Sequence, residues 1–222
     1  MKLENLVGGI VVLIFMVVIP EAMFGARPLA TDDAGTVEEG NFELEIGYDF
    51  GVVDAADQSL GASLKAGLTS VLDFGFSVPY DIGGDMGEVE LGTKFAVFGG
   101  KGFIPAFAVS FAYTPGTFDY ALCFIATEEL DPCAFHLNLG FVRSREGQEV
   151  LISPVYAGAC EFSLLAQLAI VGEVVGEGDD LDVLVGARCQ PLEWVAIDGG
   201  IACIFVDSTI QWSGTAGFTF GF

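Results

Sequence analysis

Apolar and polar residues alternate along most of this chain with a period of two, the pattern of a strand whose two faces meet different surroundings. It is cleanest at the C-terminus. There Ile210, Trp212, Gly214, Ala216, Phe218, Phe220 and Phe222 share one face, and Gln211, Ser213, Thr215, Gly217, Thr219 and Gly221 share the other. A helix would mix the two sets. The same split sets Phe42, Leu44, Ile46, Tyr48 and Phe50 against Glu43, Glu45, Gly47 and Asp49, and Phe135, Leu137, Leu139 and Phe141 against His136, Asn138 and Gly140. With the less regular stretches 119–128, 149–160, 164–176 and 194–206, the pattern predicts twelve strands; the others are 40–52, 58–69, 71–81, 87–98, 104–114, 133–143, 181–190 and 210–222.

An even number of strands of about ten residues, joined by short turns, predicts an all-β fold: a transmembrane up-and-down antiparallel β-barrel of about 12 strands. With the N-terminus in the periplasm, the turns Thr69–Val71, Glu161–Ser163 and Pro191–Glu193 face the periplasm. The segments 53–58, 81–86, 115–118, 144–148, 177–180 and 207–209 face outward as short loops, leaving little loop material for a plug. A soluble barrel would turn its bulky apolar face inward. Here the phenylalanine and leucine face is too bulky and continuous to fill a narrow interior, whereas glycine, serine and carboxylates suit a wet lumen.

The two ends of the chain agree with this. Leu6 to Ile19 form an apolar block after Lys2, followed by Pro20, Gly25 and Ala26. That order predicts a signal peptide over 1–26, cleaved before Arg27. Residues 27–39 then form a periplasmic N-terminal segment, and 40–222 the outer-membrane barrel. No second apolar stretch reaches the length of a helical span, so closed strands must satisfy the backbone within the bilayer. The chain carries 30 glycines, 20 phenylalanines and a formal net charge of −23. Such a charge excludes nucleic acid as a partner, and the apolar face makes outer-membrane lipid the expected one. The five cysteines, Cys123, Cys133, Cys160, Cys189 and Cys203, show no C-x-x-C spacing, and with one histidine they predict neither a metal site nor a cofactor.

Several short motifs resemble the outer-membrane family named for the MetA pathway of phenol degradation. They are Arg27-Pro-Leu-Ala-Thr-Asp-Asp-Ala-Gly-Thr-Val37, Gly40-Asn-Phe-Glu-Leu-Glu45, Gly67 to Gly75 running on to Val78-Pro-Tyr80, Gly87 to Lys94, Leu137 to Phe141, Val183 to Arg188 and Trp212 to Phe222. In order they cover nearly the whole chain after Ala26. The resemblance implies an outer-membrane transporter of small solutes, hydrophobic or aromatic ones among them. Phe222 resembles the terminal aromatic signal through which the barrel-insertion machinery engages a C-terminal strand.

Charged and polar residues on the inward face are the candidate solute pathway: Glu43, Glu45, Lys65, Asp73, Glu88, Glu90, Lys94, His136, Asn138, Glu173, Arg188 and Asp198, with Asp49 and Asp182 on the same face. Carboxylates outnumber bases, which predicts a cation-favouring lumen. The alternative is that these charges pair across strands and rigidify a filled, non-conducting interior, since buried charges require partners. His136 with Asn138 invites comparison with an outer-membrane hydrolase, but the polar face turns them away from lipid. They read as lumen residues of a protein that is not an enzyme. Val97 to Gly102 lacks the lysine and hydroxyl of a phosphate loop and reads as a turn.

Overall fold

Alternating sequence becomes twelve strands: β1 (Phe42–Gly51), β2 (Gln58–Thr69), β3 (Leu72–Asp81), β4 (Glu90–Lys101), β5 (Ile104–Thr114), β6 (Asp119–Leu130), β7 (Cys133–Glu146), β8 (Glu149–Leu165), β9 (Leu168–Glu177), β10 (Asp180–Leu192), β11 (Val195–Val206) and β12 (Thr209–Gly221). The computed structural model describes residues 27–52, 58–84, 86–146, 149–178, 180–206 and 209–222. The expected signal peptide lies outside them. Each strand pairs antiparallel with its neighbours in sequence, and β1 pairs with β12 to close the barrel. Closure runs from Glu43 opposite Gly221 to Gly51 opposite Ser213, and Phe42 and Phe222 exchange backbone hydrogen bonds of 2.6 and 2.9 Å at its end. Closure leaves no open sheet edge, as a wall in hydrocarbon requires.

The apolar face points outward. Phe218 and Phe107 are 46% and 42% exposed, and Phe74, Phe95, Phe111, Leu137 and Ile201 are exposed with them. Such a surface on a protein in water would be an association site over its whole girth; around a closed barrel it is the lipid belt. All five tyrosines, Tyr48, Tyr80, Tyr113, Tyr120 and Tyr156, sit on this face with Trp212, most of them toward the end opposite the chain termini. Their amphipathic rings mark that rim as a membrane–water boundary.

Two boundary differences from the sequence expectation bear on the site. The β8 strand continues to Leu165, so the Glu161–Ser163 stretch is strand and the turn falls at Ala166 and Gln167. Glu161 and Ser163 look like turn residues in isolation, yet they are the inward partners of Phe162 and Leu164 in continued alternation. The β4 strand begins at Glu90, which leaves Glu88 in the connection from β3. The β3–β4 ladder is correspondingly short, running only from Leu72–Phe95 to Ser77–Glu90.

The largest difference concerns residues 27–39, expected outside the barrel in the periplasm. They lie inside it. Gly40, at φ 86°, makes the turn by which the segment leaves the lumen and enters β1, a conformation only glycine adopts cheaply. Leu29 packs against Ala159, Val171, Leu184 and Ala202, and Ala34 against Ala108 and Ile125. These two small clusters, between segment and wall, are the buried apolar core.

Candidate functional site

The segment makes almost a full circuit of the inner wall. Arg27 meets β11, β12 and β10; its guanidinium donates to Thr215 Oγ1 at 2.7 Å and stands 3.5 Å from the Asp198 carboxylate, while its carbonyl accepts from Arg188 Nε at 2.8 Å. On β9, Glu173 accepts from Ala30 N (2.9 Å), Thr31 N (2.8 Å) and Thr31 Oγ1 (2.7 Å). On β7, the Asn138 amide, oriented to satisfy both its atoms, donates to the Asp32 carbonyl at 2.9 Å and accepts from Asp32 N at 2.7 Å. On β4, Lys94 Nζ reaches Asp32 Oδ1 at 3.0 Å and the Asp33 carbonyl at 3.1 Å. Ala34 N donates to Thr127 on β6 (2.9 Å), and Val37 N to Asp73 on β3 (3.2 Å). Gly40 and Asn41 finally pair with Gly67 on β2.

Inward glycines make room for this path. A Cβ on Gly47 or Gly217 would collide with the Arg27 guanidinium, and one on Gly67 with the backbone of Val37 and Glu38; one on Gly186 would meet the Gly199 carbonyl first and then crowd Pro28. Gly61 and Gly92, also inward, would meet nothing within 4 Å. The wall thus makes room for the segment at Gly47, Gly67 and Gly217 and faces open space at Gly61 and Gly92.

Most of the predicted pathway residues hold the segment or one another. Lys65 bridges Glu43 (3.1 Å) and Glu45 (3.7 Å), and Ser63 donates to Glu45 at 3.0 Å. Asp73 caps the backbone N–H groups of Val37 and Lys94. Asp198, its side chain 1% exposed, faces Arg27 and lies opposite Arg188 in register. Such buried ion pairs need this density of partners to offset desolvation. Glu88 stands apart, in the β3–β4 connection and near Gly116 on the β5–β6 connection.

Sequence reasoning missed Arg27, Thr31, Asp32, Thr127 and Glu161. Glu161 accepts from Arg188 Nη2 at 2.7 Å and lies 3.7 Å from His136 Nε2. His136 Nδ1 is 3.0 Å from Thr127 Oγ1. Thr127 Oγ1 also accepts from Ala34 N, so the hydroxyl joins His136 to the segment. A hydroxyl, an imidazole and a carboxylate in a row are the parts of a nucleophilic site. Thr127 and His136 are both buried, however, and Ala34 covers the hydroxyl. The row braces the segment.

Beyond the segment the interior opens toward the end opposite the termini. A space of about 860 Å³ is bounded by Asp49, Ser59, Asp81, Gln211 and Ser213. A second, of about 230 Å³, lies along β2 to β6. Following the inner face outward through the register adds Glu90, Asp119, Glu149, Glu177, Asp180 and Asp182 to Asp49 and Asp81. Among the described residues no lysine, arginine or histidine shares that face in the far half: Arg143 and Arg145 turn outward, Arg143 lying over the Tyr120 ring. Charge is thus partitioned, with paired ions around the segment and carboxylates alone beyond it.

This barrel is similar in fold to solved outer-membrane channels. The KdgM porin superposes with a TM-score of 0.64 at 10% identity, over 81% of this chain and 99% of the porin. The COG4313 outer membrane channel from Pseudomonas putida F1 gives 0.63 at 10% identity, over 87% of this chain and all of the channel (100%). The NanC porin gives 0.59 at 8% identity, over 81% and 98%. A scan against protein-family models finds no match, and neither does a search of curated proteins. The likeness is one of fold, that of an outer-membrane β-barrel.

Proposed function

We propose that this protein is an outer-membrane channel for small solutes, whose acidic far lumen favours cations and whose N-terminal segment sets the constriction. The partition of charge carries this reading. Carboxylates without basic neighbours on the inner face of an aqueous passage raise the local concentration of cations. The resemblance to the MetA-pathway family and the likeness in fold to porins support a transport role. The solute itself follows from neither.

The test is the reversal potential of the refolded protein in a planar bilayer under a potassium chloride gradient. Cation preference is expected at about 0.1 M salt, where the Debye length is about 10 Å, and its decay near 1 M, where it is about 3 Å. Changing Asp49, Asp119 and Asp182 together to asparagine should reduce the preference. Current of unaltered selectivity in that variant would remove the acidic lumen from the account. The packing of the segment favours a second reading, a structural barrel with a filled interior. Absence of any conductance in the intact chain would select it.

A further inference from the structure

The 230 Å³ space along β2 to β6 is shaped by small inward residues. Gly75, Gly92, Ser77 and Ser110 line it, and its deep end is closed by the Lys94–Asp32 pair at 3.0 Å. Both lysines that border it are neutralised, Lys94 by Asp32 and Lys65 by Glu43 and Glu45. Three polar side chains face it without a hydrogen-bond or ion-pair partner among the described residues: Ser77, Ser110 and Glu90. Ser77 and Glu90 are directly opposed at the last rung of the β3–β4 ladder, so their side chains leave the wall side by side. Ser110 lies opposite Lys94 on the next strand.

We propose that this pocket is a subsite for a small hydroxylated organic cation, with Glu90 as counter-ion to its ammonium group and Ser77 and Ser110 as partners for its hydroxyls. The volume suits a single monosaccharide-sized molecule. A neutral ligand would leave Glu90 without its ion pair, and an anion would meet that carboxylate directly. The wall residues are too short to fill the space themselves. The proposal rests on the channel reading only in supposing that solutes reach the pocket from the far mouth.

Three hexoses of like size separate charge from shape: glucosamine as the cation, glucose as the neutral form and glucuronate as the anion. Calorimetric titration of the full refolded chain should rank glucosamine first and glucuronate last. Glu90→Gln should weaken glucosamine binding by about tenfold, the worth of one charge-assisted hydrogen bond, and leave glucose nearly unchanged. Gly92→Phe, at a position where a Cβ meets nothing within 4 Å, should fill the pocket and abolish binding of both. Equal affinity for the three sugars, or glucosamine binding unaffected by either substitution, overturns the subsite. Because titration does not require conduction, the two readings fail separately. Discriminating binding without channel current overturns the channel and keeps the pocket, whereas current without discrimination does the reverse.

Discussion

Glu173 is the residue on which the position of the segment most depends. Its two carboxylate oxygens receive two backbone N–H groups and a hydroxyl from consecutive residues, a nest of charge-assisted bonds in a buried position. Glu173→Ala would orphan those donors at about 1–3 kcal/mol each while leaving the β8–β9–β10 ladders intact. The expected outcome is amide hydrogen exchange at Ala30 and Thr31 faster by at least about tenfold, with strand amides unchanged. Unchanged protection of those two amides would contradict the assigned role. Gly217→Val should act on the same segment from another side, by displacing the Arg27 guanidinium from its place beside Asp198 and Thr215. Of the inward charges expected along a solute pathway, Asp73 and Glu173 hold the segment, and Glu43 and Lys65 pair with each other. Their inward orientation was legible from alternation, but alternation cannot say whether an inward charge meets water or a folded-back piece of chain.

At the level of elements, the closing pair β1–β12 does the most. Its ladder runs nine residues on each strand, and Phe222 stacks on Phe42 at 5.7 Å beyond the last rung. Removing Phe222 should lower the fraction of chain that assembles as a heat-modifiable barrel in the outer membrane, measured by gel mobility before and after boiling. Full assembly of that variant would show that the terminal aromatic is dispensable for insertion. All twelve strands were legible because each presents different neighbours to its two faces, and period two records that difference directly. The segment 27–40 was not. Pro28, Asp32, Asp33 and Gly35 give it no periodicity of its own, and its partners are spread around the barrel from Gly47 to Gly217. Its destination is written on the wall instead, in the inward glycines Gly47, Gly67 and Gly217, which in a single sequence look like ordinary strand glycines. Glu161 was missed for the related reason that a carboxylate beside a serine resembles a turn until the following alternation through Leu164 is counted with it.

At the scale of the whole molecule, one barrel contains two interiors. Around the segment, ions are paired and small apolar clusters pack against the wall; toward the far mouth, glycine, serine and carboxylate surround open space. On the proposed channel reading, residues 27–38 rather than the barrel wall set the narrowest part of the passage, since twelve strands alone would enclose a wider bore. Single-channel conductance of the intact protein compared with a chain lacking residues 27–38 tests this most directly. Conductance is expected to rise severalfold on deletion, with the barrel still folded because β1–β12 closure begins beyond the deleted stretch. Equal conductance from the two proteins would mean that the segment does not stand in the path.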